Sequence, residues 1–163
     1  MFIKVLNITL VCVGGLKEEF WKAACAEYIK RIGLWAKIKT VEIDEVRLPD
    51  DPSQALIISA LDREADKIHK KLPANAFVTL LCVEGMQMDS QEFAQTVSRR
   101  MQLNGNFVFV IGGSYGLAQK LKDLAHLKLS LSAMTFPHMM ARVLLVEQIY
   151  RALNIVGGGK YHK

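Results

Sequence analysis

Continuous apolar runs alternate along this chain with segments in which apolar residues recur every three to four positions. Two of the runs, at residues 77–83 and 107–111, have the length of strands, and the first ends at a glutamate and a glycine; a further strand is predicted at residues 127–131. Apolar runs without polar interruption are typical of strands buried on both faces of a parallel sheet. Because helical segments separate the runs, the pattern predicts an α/β fold, with a mainly parallel sheet of about five strands covered by helices.

The segments between the strands carry the signals of amphipathic helices. Residues 17–31 repeat apolar side chains at helical spacing, beginning with Phe20. A second helix is predicted to start at Asp51 as its N-cap, and a third at the capping box that Asp89 and Glu92 form.

The last predicted helix, residues 137–154, is apolar around most of its circumference. Such a helix must be buried on two sides, so we expect a homodimer that forms through it. Glu147 and Arg151 are spaced as an i, i+4 ion pair. Arg142 has no such partner on the helix, which makes it a candidate for contact with a phosphate or a cofactor carboxylate.

Two loops follow predicted strands at one edge of the sheet. The first is a turn that contains Gly112, Gly113 and Gly116, and the second is the small-residue loop 132–136. In open α/β sheets, ligands bind in the crevice outside the carboxyl ends of the strands. This edge is therefore the predicted site.

Each loop also has a purely structural interpretation. The glycines permit a tight strand-to-helix turn, and their GG-x-x-G spacing differs from the dinucleotide fingerprint, which disfavours NAD. Ser130, Ser132 and Thr135 serve as turn and cap residues, or else leave backbone groups free to bind an adenine edge. The residues alone leave these alternatives open.

Composition narrows the class of protein. The chain has 163 residues, taken here as one domain, and no apolar run long enough to span a bilayer. Its three cysteines favour buried thiols in a reducing compartment such as the cytoplasm, and the histidine spacing implies no metal. A net charge of +5 fits an RNA partner or a solvated basic surface equally well.

The tail NIVGGGKYHK combines three glycines with Lys160, Tyr161 and His162. It is interpreted either as a disordered end or as a flexible segment able to fold over an RNA base.

Taken together, the segments FVFVIGGSYGL, SLSAMTFPHMMARVLLVEQIYRAL and the terminal YHK resemble the RlmH family of SPOUT methyltransferases. The resemblance covers essentially the whole chain, including GLKEEFWKAACAEYIKRIG near its start. It implies a homodimeric SPOUT-type α/β domain over residues 1–163 with a C-terminal trefoil knot that holds S-adenosylmethionine. The implied substrate is N3 of a pseudouridine in helix 69 of 23S rRNA on the assembled ribosome.

When the cofactor contacts of the family are carried over position by position and the glycine turn is included, they give nine candidate cofactor-binding residues: Leu81, Gly112, Gly113, Leu131, Ser132, Ala133, Met134, Thr135 and Phe136. Tyr161 and His162 match the substrate-side residues of the family. Relatives tend to carry an acidic residue where Cys82 follows Leu81 here, so a backbone contact is expected at this position.

We expect direct transfer of the sulfonium methyl group to N3 in one displacement step. His162 is the candidate general base, with Arg142 or Lys160 as cations that could stabilise the anion. Two other classes of function stay open: an RNA-binding or ribosome-assembly protein without activity, and a nucleotide-dependent oxidoreductase that uses the glycine turn.

Overall fold

A computed structural model describes residues 6–103 and 105–161. Ten elements alternate along the chain: β1 (Leu6–Val13), α1 (Glu19–Ile32), β2 (Ala36–Ile43), α2 (Gln54–His69), β3 (Phe77–Gln87), α3 (Ser90–Leu103), β4 (Asn106–Ile111), α4 (Gln119–Leu124), β5 (Leu127–Ser130) and α5 (His138–Val156). The five strands form one sheet in the order β2-β1-β4-β3-β5, and all of its pairings are parallel. The predicted parallel α/β architecture is confirmed.

The sheet separates two apolar layers because successive side chains of a strand point to opposite faces. On β4, Phe107 and Phe109 face the layer that contains α1, α3 and α5. Val108 and Val110 face the opposite layer, which contains α2 and α4. β4 is the central strand and is buried on both sides, which explains the continuous apolar run of its sequence.

Two local predictions have different outcomes. The capping box of α3 is confirmed, since the Glu92 N–H donates to Asp89 Oδ1 at 2.8 Å and the Asp89 N–H donates to Glu92 Oε2 at 2.9 Å. The predicted Asp51 cap of α2 is wrong. Ser53 is the N-cap, and its hydroxyl accepts from the Leu56 N–H.

The burial of side chains on α1 and α5 differs in part from what the sequence pattern predicts. Phe20 is 63% exposed and contacts the Trp21 ring at a tilted angle instead of entering the core. α5 packs on the sheet with α1 and α3 beside it, so much of its apolar surface is buried within one chain. Met140 and Leu144 remain exposed on its outer side. Within the described ranges, no helix is long and apolar enough to cross a membrane.

Candidate functional site

The carboxyl ends of β3, β4 and β5 surround one cavity of about 740 Å³. Its volume lies within the ~300–1,000 Å³ usual for sites that bind small molecules. Eight of the nine predicted cofactor-binding residues line it, whereas Ala133 does not: the eight are Leu81, Gly112, Gly113, Leu131, Ser132, Met134, Thr135 and Phe136. The structure therefore brings together the loops that the sequence placed at this edge.

The glycine turn forms one wall of the cavity. The Gly116 N–H donates to the Gly113 carbonyl at 3.1 Å, and Gly116 has a φ of +84°, a conformation that favours glycine. A Cβ atom on Gly112 would lie 2.4 Å from the Gly116 carbonyl oxygen. The turn is therefore closed on itself so tightly that position 112 has no room for a side chain.

A carboxylate from outside the turn supports it. Glu45 Oε1 accepts from the Ser114 N–H at 3.4 Å and lies against Gly113. Glu45 follows β2, which is separated from β4 in the sheet by β1. Nothing in the spacing of the sequence indicates this contact, because 69 residues separate the two partners.

The loop that follows β5 is organised by its own serines. Ser130 is buried, and its hydroxyl donates to the Ser132 carbonyl at 2.9 Å. The Ser132 hydroxyl accepts from the Met134 N–H at 3.1 Å. These serines act as turn residues that fix the backbone beside the cavity, so their structural interpretation and a binding role for the backbone are compatible.

An interruption in β3 shapes the opposite wall. β3 pairs with β5 through Leu81 and again through Met86, so the four residues between them leave the regular ladder. Gly85 lies so close to the Lys128 backbone that a Cβ atom would be 2.7 Å from its carbonyl carbon. Three of the four residues that bulge out, Cys82, Val83 and Glu84, line the cavity.

Charged groups at this wall were not predicted from the sequence. Glu84 forms an ion pair with Lys122 of α4, and both line the cavity. Hydrogen bonding to Lys122 lowers the pKa of Glu84 below its usual value. Burial raises the pKa of Cys82, so this position presents a neutral thiol. His138, at the start of α5, also lines the cavity.

Arg142, which has no i, i+4 partner on its own helix, is paired with a carboxylate of another element. Its Nη2 atom donates to Glu42 Oε1 at 2.9 Å, and the residue is only 6% exposed. Arg142 is absent from the cavity lining, and its buried Nε has no hydrogen-bond partner among the described residues. Its partner lies 100 residues away on β2, so the pair fixes the start of α5 to the sheet.

Tyr161 lies at the other end of α5 from the cavity. Its ring packs on Tyr150 with centroids 4.8 Å apart, and its N–H donates to Asn154 Oδ1 at 3.0 Å. Asn154 is sixteen residues beyond His138, or roughly 24 Å along the helix at 1.5 Å per residue. Tyr161 is therefore remote from the cavity of its own chain, and His162 lies outside the described residues.

The predicted ion pair of α5 is present, with Arg151 Nη2 donating to Glu147 Oε1 at 2.7 Å. No group of three or more potential metal-ligating side chains occurs in the part of the chain that the structure describes.

Comparison with known proteins points to one family. Residues 6–162 match the family model described as "Predicted SPOUT methyltransferase". A protein of Caldicellulosiruptor saccharolyticus named "Ribosomal RNA large subunit methyltransferase H" is 42% identical over 156 residues, which cover 96% of this chain and 99% of the relative. A protein of Methanococcus vannielii named "Putative ribosomal RNA large subunit methyltransferase H" is also 42% identical, over 97% of this chain and all of the relative.

Two solved structures share the fold. A "Probable Methyltransferase" from Bordetella pertussis Tohama I superposes with a TM-score of 0.57 at 20% identity, over 91% of this chain and 96% of that one. A "probable methylase family protein" from Haemophilus influenzae Rd KW20 gives a TM-score of 0.51 at 16% identity, over 97% of this chain and 70% of that one. Such low identities support the fold alone.

Proposed function

Because the chain belongs to the RlmH family of SPOUT methyltransferases, we propose that it methylates ribosomal RNA of the large subunit with S-adenosylmethionine as methyl donor. The specific target is N3 of a pseudouridine in helix 69 of 23S rRNA, modified on the assembled ribosome in the cytoplasm. The observation that carries the proposal is the cavity where the glycine turn, the β3 bulge and the loop after β5 meet.

The walls of this cavity suit S-adenosylmethionine. Its apolar residues, among them Leu81, Leu117 and Phe136, offer a surface for an adenine ring. The closely packed backbone at Gly112 allows a ligand to approach peptide groups directly. Glu84 and Lys122 supply charged groups at one wall that can meet the polar parts of the cofactor.

S-adenosylmethionine supplies an electrophilic methyl group on a sulfonium centre. The chain's contribution is alignment, since the fixed turn and loop hold their backbone groups in place before binding. N3–H of a uracil-like ring must lose its proton, and His162 is the candidate base, with an unperturbed pKa of ~6.5. Lys160 is the remaining candidate to stabilise the anion, because Arg142 is already paired with Glu42.

We place the tail of one protomer at the cavity of its partner in a homodimer. His162 directly follows Tyr161, and consecutive Cα atoms are only ~3.8 Å apart, so this tail cannot cover the roughly 20 Å of α5 between Asn154 and Ala141, the cavity-lining residue closest to it along the helix. The exposed Met140 and Leu144 on the outer side of α5 support an interface along this helix. We also propose that this chain forms the C-terminal trefoil knot of the family.

The proposal is tested by calorimetric titration with S-adenosylmethionine, with NAD as the control ligand, followed by a methyl-transfer assay on assembled ribosomes and on naked 23S rRNA. We expect selective binding of S-adenosylmethionine and transfer to ribosomes only. Binding of RNA that needs no cofactor, with no transfer, would instead support a non-catalytic RNA-binding protein.

A further inference from the structure

The segment 157–161 folds back onto the end of α5, and Asn154 contacts it three times. The Asn154 backbone carbonyl accepts from the Gly159 N–H at 2.8 Å. Its side-chain Oδ1 accepts from the Tyr161 N–H at 3.0 Å. A Cβ atom on Gly159 would lie 2.3 Å from that same Oδ1, so Gly159 packs directly against the amide.

Aromatic and cationic side chains hold the other side of Tyr161. The Arg151 guanidinium lies 4.6 Å from the centre of the Tyr161 ring, and its Nη1 donates to the Tyr161 carbonyl at 3.4 Å. Burial and a hydrogen bond with Tyr28 raise the pKa of Tyr161 to about 12. The phenol is therefore neutral and engaged within its own chain at physiological pH.

Two side chains of α5 hold the backbone of Tyr161. Arg151 reaches its carbonyl only at 3.4 Å, whereas the Asn154 amide accepts from its N–H at 3.0 Å and also packs against Gly159, so Asn154 makes the shorter and more extensive backbone contact. We propose that Asn154 is a positioning residue that docks the tail and so sets the point from which it enters the partner's cavity. This inference rests on the proposed function, in which that tail supplies the base.

The test compares Asn154→Ala, Asn154→Asp and Gly159→Ala with the full-length wild type and with Gln102→Ala, an exposed residue of α3 that serves as control. Hydrogen exchange at the Tyr161 amide reports docking and is independent of any activity. Loss of the acceptor in Asn154→Ala should accelerate exchange roughly tenfold. Asn154→Asp retains Oδ1 and should exchange as the wild type does, as should Gln102→Ala.

The kinetic readout separates positioning from a structural role. In Asn154→Ala, kcat for methyl transfer to ribosomes should fall at least about tenfold, since a misplacement of ~1 Å can cost far more than that. The KM for S-adenosylmethionine and the thermal midpoint should stay at the wild-type values, and Asn154→Asp should restore kcat. The double variant Asn154→Ala/Gly159→Ala should lose no more than Asn154→Ala alone, because the Cβ added at Gly159 acts by displacing the Asn154 amide, which the double variant already lacks.

The outcomes distinguish this inference from the proposed function. An unchanged kcat in Asn154→Ala beside an active wild type would overturn the positioning role, whether or not exchange accelerates. A wild type that shows no transfer would overturn the proposed function and the positioning role with it. A parallel fall in thermal midpoint and in cofactor affinity would show that Asn154 is structural and contradict the inference.

Discussion

Gly112→Ala should disable the proposed cofactor cavity through a backbone clash. The added Cβ would lie 2.4 Å from the Gly116 carbonyl oxygen, 2.8 Å from its carbonyl carbon and 2.9 Å from Leu117 Cγ. Two of these three obstacles are backbone atoms of the same turn, so the turn must open. Overpacking of this kind costs about 1–3 kcal/mol. At 2–4 °C per kcal/mol for a domain of this size, the thermal midpoint should fall by roughly 2–12 °C.

The displaced turn should also weaken S-adenosylmethionine binding at least about tenfold, which corresponds to ~1.4 kcal/mol. Calorimetric titration and thermal unfolding of the same samples measure both effects. Gly113→Ala is the matched comparison: its Cβ would meet the carboxylate of Glu45 at 2.7 Å. This exposed side chain can swing away, so both effects should be smaller. A Gly112→Ala protein with wild-type affinity and midpoint would refute the reasoning.

Three further predictions concern stability. Glu42→Ala leaves the buried Arg142 guanidinium without its acceptor and should cost about 2 kcal/mol in denaturant unfolding, more than Arg142→Met, which leaves only a hydrated carboxylate; the reverse order would contradict the pairing. Burial raises the pKa of Cys12 from 9.0 to about 12, so the thiol leaves stability unchanged below pH 9. Between pH 9 and 12 the free energy of unfolding should fall by up to ~1.4 kcal/mol per pH unit. Denaturant unfolding of Cys12→Ala at each pH should show a shallower slope. Asp89→Ala removes the cap of α3 and should cost ~1 kcal/mol by the same assay, and no change there would argue against the capping box formed with Glu92.

The sheet was predictable because its physical requirement is local. A parallel strand covered on both faces needs an unbroken apolar run, and residues 107–111 provide one. The order of the strands was not predictable, since it depends on pairings between distant segments. At the start of α2, Asp51 and Ser53 are both good caps, and only the folded chain shows that Ser53 is used.

The loops of the candidate site were predictable for the same local reason, but their supporting contacts were not. The glycines and serines indicate turns after strands, and those turns line one cavity. The Arg142–Glu42 pair joins residues 100 positions apart, and Glu84 meets Lys122 only because β3 leaves its ladder. Periodicity along one helix cannot indicate partners that another element supplies.

The position of the tail also depends on contacts that the sequence pattern does not predict. Its composition left open both a disordered end and a segment that folds over an RNA base. Tyr161 is held by Asn154 and Arg151 of α5, contacts that depend on the chain reversing direction at Gly158, where φ is +74°. The three glycines therefore permit a defined return onto the helix instead of only permitting flexibility.

The central claim, methylation of N3 of a helix 69 pseudouridine with S-adenosylmethionine, is tested most directly by mass spectrometry of the rRNA. Assembled ribosomes that lack this methyl group would be incubated with the protein and methyl-deuterated S-adenosylmethionine, and the helix 69 fragment of 23S rRNA would then be isolated and sequenced. The account predicts one labelled methyl group on N3 of a single pseudouridine. A fragment without label, or label on another atom or nucleotide, would contradict it.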